Sequence, residues 1–260
     1  MLKHVWSYWE GPLTPLVEMC ISSWRKHLAP SGWTVHVLTP ETLNQYKIIK
    51  PKSFESLTPT TKSDVIRLSL LYTHGGLWLD ASVYLTSNVD WLLNQSSSIC
   101  GVRLDSRQYI ESWILYSPPH NRHVFSWLET FNDILDTSPV TKHRAYESPC
   151  VDRKEYFMIY QAFCFLRQEH VVFEKIFHAC KHFSGPDVFS FGFVPLQNER
   201  FLVKFTKNGR NRYPFLKFPL IYVYVFVFII CVSACVLIPY YYKKHIKTRK
   251  FRSLHLVSQA

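Results

Sequence analysis

This 260-residue chain is most informative first for what it lacks. No CxxC pair is matched by a second one, so its seven cysteines do not outline a structural zinc site. Their odd number and irregular spacing fit free thiols in a reducing compartment, with one or two disulfides left open. No helix-turn-helix or zinc-finger pattern is present, and no HExxH. Six histidines fall between His120 and His182 (His120, His123, His143, His170, His178 and His182), at spacings that make no metal motif. His178 and His182 flank Cys180 on a predicted exposed helix and read as solvated. The N-terminus, MLKHVWSYWEG, has no apolar core of signal-peptide length. There is no internal repeat and no low-complexity tract.

Acidic residues are absent beyond Glu199. Twelve Lys or Arg fall between Arg200 and Arg252, although the net charge of the whole chain is only +11. The first 199 residues are therefore close to neutral. The basic excess flanks an apolar segment, which points to an anionic membrane surface and away from nucleic acid. That segment, residues 218–242 (FPLIYVYVFVFIICVSACVLIPYYY), carries no charge. It is long enough to cross a hydrocarbon core of about 30 Å. It ends in Tyr240, Tyr241 and Tyr242, an interfacial aromatic cluster, followed by KKHIKTRKFR. We expect a domain over 1–199, a basic juxtamembrane linker over 200–217, a transmembrane helix over 218–242 and a basic tail over 243–260. The basic flank favours a cytoplasmic tail, but a domain without a signal is hard to translocate. The expectation is a domain in the cytosol on a single-pass C-terminal anchor.

The first 199 residues alternate short strands and helices. Strands are predicted at 4–9, 33–39, 77–80 and 112–117, and helices at 15–28, 61–73, 123–135 and 155–169. Such alternation implies an α/β fold with a mostly parallel sheet flanked by helices. The stretch SDVIRLSLLYTHGGLWLDASVYL, 63–85, stands out because Asp64, Arg67 and Asp80 interrupt an apolar run. With Thr61 as N-cap, Asp64 reads as a first-turn carboxylate near the helix dipole. Arg67, three residues on, shares its face. The helix around this pair is apolar nearly all round, and burying charges there is costly. Gly75 suits the left-handed residue that ends the helix, and Gly76 a close backbone passage. Asp80 closes the next strand at its carboxyl end, where ligands bind in open α/β sheets. The three should converge on a cleft suited to a phosphate and a divalent metal.

This block, S-D-x-x-R-x-x-x-L-Y-x-x-G-G-x-x-x-D, resembles the donor site of sugar-nucleotide glycosyltransferases of GT-A (Rossmann-like) fold. It is most similar to the capsular polysaccharide synthesis protein family and the DXD sugar-binding group. HVWSYWEG, CISSWRKHLAPSGWTVHVL, WILYSPPHNRHVFSWLETF and SGPDVFS extend the likeness to roughly residues 2–195. The resemblance implies a nucleoside-diphosphate sugar donor, a glycan or glycolipid acceptor, and transfer with retention. It implies that Asp80 holds Mn²⁺ or Mg²⁺, directly or through water, with Ser82 beside it. Arg67 would contact the donor phosphate or sugar, Asp64 the sugar hydroxyls, and Trp6 or Trp9 the base. Gly75 and Gly76 would shape the donor site.

One departure bears on the metal. The motif is Asp80-Ala81-Ser82, one carboxylate short of DXD. Asp152 and Glu155 are candidates for a compensating acid, Glu155 by the resemblance. The late histidine of the DXD group has no counterpart before the apolar run. The alternative reading is a degenerate GT-A-fold binding or scaffold protein at the membrane.

Overall fold

The computed structural model describes residues 3–94, 98–105, 107–137, 158–183, 189–190 and 202–205. The segments 138–157 and 206–260, with Asp152, Glu155 and the 218–242 run, lie outside them. Among the described residues no helix is long and apolar enough to cross a membrane.

The chain opens with β1 (His4–Tyr8), α1 (Pro15–Leu28), β2 (Thr34–Leu38), α2 (Pro40–Leu43) and α3 (Pro59–Thr73). It continues with β3 (Gly76–Leu79), β4 (Val83–Leu85), α4 (Asp90–Leu93), β5 (Cys100–Leu104), β6 (Ile110–Ser117) and α5 (Arg122–Asp136). Then come α6 (Met158–Glu169), α7 (Val171–Ala179), β7 (Lys181–Phe183), β8 (Phe189–Ser190) and β9 (Leu202–Phe205). Six strands form one sheet in the order β2-β1-β3-β6-β5-β7. Five run in one direction, and β6 runs against both of its neighbours. Mostly parallel is thus the right description of this mixed α/β sheet.

Side-chain alternation divides the sheet. Trp6 and Trp78 stand side by side in the β1–β3 register, on the face covered by α3. Their cluster extends through Ile66, Leu70, Trp127, Phe131 and Phe163 of α3, α5 and α6. The other helix, α1, packs against β2 and β4, where Trp24 donates from Nε1 to the Val83 carbonyl at 2.6 Å. The strand order reverses beside β1, since β2 lies on one flank and β3 on the other. The crevice outside the carboxyl ends of β1 and β3 is the switch point, the place where such folds bind ligands.

Helix α3 begins earlier than the sequence suggests. Thr58 is the N-cap, its hydroxyl accepting from the Thr61 N–H, and Pro59 fills the first helical position. Proline suits that position because its missing N–H is not needed there. Asp64 therefore lies in the second turn and caps nothing. At the other end Gly75 (φ +66°) and Gly76 (φ +99°) occupy the left-handed region. A Cβ on Gly76 would lie 2.5 Å from the His4 carbonyl oxygen, so only glycine lets β3 lie this close to β1.

A second sheet, β4-β9-β8, adjoins the crevice. Part of the stretch read as linker, Leu202–Phe205, is the strand β9, antiparallel to β4 with Lys204 opposite Val83. The histidine pair around Cys180 is split: α7 stops at Ala179, and His182 sits on β7. The cysteines are mixed in state. Cys20, Cys100 and Cys180 are buried free thiols, and Cys164 is disulfide-bonded.

Candidate active site

Three separate parts of the chain meet at the carboxyl end of β3. Helix α3 presents Asp64 and Arg67 from one face, both buried (7% and 3% exposed). The turn after β3 presents Asp80 and Ser82. Asp80 is fixed in that turn by its N–H to the Trp113 carbonyl and by the Val83 N–H to its own carbonyl, at 3.0 and 2.9 Å. Strand β9 presents Lys204, 124 residues further on.

The guanidinium bridges the two carboxylates. Arg67 donates from Nη1 to Asp64 Oδ1 and from Nη2 to Asp80 Oδ1, both at 2.6 Å, and stacks 4.9 Å over the Trp78 ring. Asp80 Oδ1 also accepts from Trp78 Nε1 at 2.9 Å. Its other oxygen, Oδ2, accepts from Lys204 Nζ at 2.6 Å, and the same ammonium donates to Ser82 Oγ at 2.9 Å. Asp64, Arg67 and Asp80 do converge, as their spacing predicts, and Ser82 joins them.

One cation cannot satisfy two carboxylates equally. Burial works to raise Asp80, but Lys204 and Arg67 override it and hold its carboxyl well below the usual range. Asp64, with Arg67 as its bonded partner and Asp80 nearby, is pushed by burial up to about 7. Near neutral pH the cluster thus has two cations facing one ionised carboxylate and one whose burial favours its neutral acid form. Its net charge lies between zero and +1, which favours an anionic ligand.

Sequence reasoning missed a buried layer behind this cluster. The pairing of β5 with β6 skips from Leu115 to Glu111, leaving 112–114 as an irregularity beside the site. Such irregularities re-aim side chains. Glu111 accepts from Trp113 Nε1 at 2.7 Å and from the Tyr160 hydroxyl at 3.5 Å, and Tyr160 accepts from the Ser112 hydroxyl at 3.0 Å. Burial raises Glu111 above the ordinary carboxylate range. Lys204 was missed as well, because nothing within 120 residues of Asp80 signals it. Its only trace in the sequence is a lysine in an alternating LVKF ahead of the apolar run.

The tryptophans part company. Trp9 follows the end of β1, half-buried at the same edge as Asp80, with Nε1 to the Pro12 carbonyl at 3.1 Å. Trp6 lies towards the opposite edge and is buried, stacked 4.4 Å from His36, with Nε1 to the Gly75 carbonyl at 2.8 Å. It lines a cavity of about 400 Å³ with His4, His36, Tyr46, His74 and His120. Gly75 and Gly76 act through the backbone, setting where β3 begins.

The described residues do not offer a full donor set for a hard cation, which takes six or more oxygens. Asp80 is the one carboxylate of the Asp80-Ala81-Ser82 turn, and Ser82 and both Asp80 oxygens are bonded to cationic side chains or Trp78. Among the described residues no group of three or more His, Cys, Asp or Glu is arranged to hold a metal ion.

Residues 1–194 match the family described as capsular polysaccharide synthesis protein. An O-glycosyltransferase, braB, of Annulohypoxylon truncatum is 24% identical over 231 residues, covering 72% of this chain and 55% of that protein. The glycosyltransferase afumC of Aspergillus fumigatus is 32% identical over 106 residues, covering 35% of this chain and 27% of that one. The chain thus spans about half the length, or less, of these relatives. Among solved structures, the PaToxG glycosyltransferase aligns over 65% of this chain and 70% of its own, at 14% identity and a TM-score of 0.42.

Proposed function

The chain belongs to the capsular polysaccharide synthesis protein family, and from that premise we propose that it is a glycosyltransferase of GT-A type. It would move a sugar from a nucleoside-diphosphate donor to a hydroxyl of a glycan or glycolipid acceptor. The observation that carries this reading is Arg67, buried between Asp64 and Asp80 at the carboxyl end of β3, with Lys204 alongside. Two cations at a sheet switch point suit a diphosphate. In the reaction the bond between the anomeric carbon and the diphosphate oxygen breaks, its electron pair leaving with the diphosphate. The acceptor oxygen forms the new bond and gives its proton to a departing phosphate oxygen.

Arg67 and Lys204 would stabilise the charge developing on the leaving group, the electrostatic term that dominates such transfers. Asp64 would bind sugar hydroxyls, and its neutral acid form has an O–H to donate. If the transfer retains configuration, front-face attack fits better than a covalent intermediate: among the described carboxylates Asp64 and Asp80 are bonded to cations and Glu111 to Trp113 and Tyr160, which makes each a poor nucleophile. Trp9, at the same edge as Asp80, is the better placed of the two tryptophans to stack on the base. The uncharged run 218–242 supports membrane lipid as a further partner, with the domain on the cytosolic side.

The test is release of nucleoside diphosphate from a panel of donor sugars by the full chain, set against Asp80→Asn. Turnover of one donor that the variant loses establishes the reading. Binding of nucleoside diphosphate without turnover of any donor, with acceptors supplied, favours the degenerate binding protein. Ser82 in place of an acid is the observation behind that second reading. Carbonate extraction and protease protection of the full chain in membranes test its attachment and sidedness.

A further inference from the structure

We propose that Lys204 is a built-in cation that binds the donor diphosphate, so that donor binding needs no divalent metal. The proposal rests on the glycosyltransferase reading and specifies how that site holds its ligand. Its first support is position. Strand β9 pairs with β4 next to the Asp80 turn, and the Phe205 N–H to the Ser82 carbonyl at 2.9 Å locks the two together. Lys204 Nζ is thereby held between Asp80 Oδ2 and Ser82 Oγ, the two oxygens that the shortened DXD motif would turn towards a metal.

The second support is charge. A divalent ion brings two positive charges to a diphosphate, and here Lys204 and Arg67 bring one each, on either side of the same carboxylate. Asp80 then positions two organic cations, and Ser82 suits an ammonium donor as a second aspartate would suit a metal. The third support is environment. The Lys204 side chain is 13% exposed and its ammonium lies 5.9 Å over the Trp113 ring, so its charge is weakly screened and faces an aromatic ring. At this depth the ammonium is held by Asp80, and a diphosphate at the same strand ends would share that cation.

The experiment titrates the full chain, in detergent, with UDP and GDP, once in excess EDTA and once with Mn²⁺. The same protein is titrated with Mn²⁺ alone by electron paramagnetic resonance. Lys204→Met keeps the stem and removes the charge, and circular dichroism confirms that it is folded. The wild type is expected to bind one of the diphosphates in EDTA with an affinity that Mn²⁺ changes less than about twofold. Lys204→Met should lose roughly tenfold in EDTA, the equivalent of about 1.4 kcal/mol. It should recover part of that loss with Mn²⁺, because Asp80 Oδ2 and Ser82 Oγ are released.

Diphosphate binding that requires Mn²⁺ and is unmoved by Lys204→Met overturns the proposal and leaves the glycosyltransferase reading standing. So does tight Mn²⁺ binding by the wild type that Asp80→Asn abolishes. No diphosphate binding in either condition overturns both. The arms separate the two failures.

Discussion

The two edges of the β1–β3 strand pair carry opposite chemistry on similar scaffolds. At the carboxyl edge, Asp64, Arg67, Asp80 and Lys204 are buried charges bonded to one another beside Trp78 and Trp113. At the amino edge, His4, His36 and His74 gather around Trp6 and Tyr46, with no carboxylate in the lining of that cavity. Burial first, then neighbouring imidazoles, lower His36 and His74 below the usual histidine range. His36 and His74 therefore favour their neutral forms, and each lowers its burial cost by giving up its proton more readily. The carboxyl edge keeps its charges by pairing them, and a site that keeps costly charges is the one equipped to meet an ion.

The largest break in this contrast should come from Arg67→Ala, which strands Asp64 and Asp80 without their shared partner. A loss of about 3–5 kcal/mol is expected for removing one member of a buried ion group. Urea unfolding checks it, and a loss under about 1 kcal/mol would show that the cluster is not held as described. Gly76→Ala strikes the first residue of β3, where that strand lies against β1. Its positive φ and the His4 oxygen in the path of a Cβ should cost about 1–3 kcal/mol in the same assay.

Asp64→Asn sharpens the comparison through pH. Because the folded pKa, about 7, exceeds the ordinary 3.8, the folded chain holds a proton that the unfolded chain releases. This contribution to stability is fully present below about pH 4 and is lost as pH rises towards 7 and beyond. Unfolding measured between pH 4 and 8 should show this decline in the wild type and lack it in the variant. Nucleoside diphosphate affinity should likewise weaken as pH rises through about 7, since an ionised Asp64 takes more of Arg67's charge. An unchanged profile in Asp64→Asn would refute the assignment. The smallest effect is expected at the amino edge, where His74→Phe replaces a ring that burial already pushes towards its neutral form. It should cost less than about 1.5 kcal/mol, as near-isosteric core changes do, and leave diphosphate binding within error of the wild type.

Much of this was legible in local patterns. The period-2 and period-3.6 runs located β1, α1, β2 and α5 to within a residue or so, because their buried faces repeat with the geometry of the element. The Gly-Gly pair announced the helix end and the close approach, since a left-handed backbone under crowding leaves few alternatives to glycine. Asp64, Arg67 and Asp80 were legible because charge inside an apolar run is anomalous on its face. The α3 start was misplaced because Thr58 and Thr61 are both fair caps, and Pro59 settles the choice only once its fit at the first helical position is weighed.

The local chemistry of residues 59–80 thus contained the helix, the turn, the strand and three of the charged groups at its end. Period, capping and backbone strain act within a few residues, so a single chain reveals them. Lys204, Glu111, Tyr160 and the separation of Trp6 from Trp9 came from strand order and register, which set neighbours across as many as 124 residues. Whether a lysine faces solvent or shares an aspartate with an arginine depends on which strand pairs with β4, and pairing at that range is settled by the packing of the whole sheet.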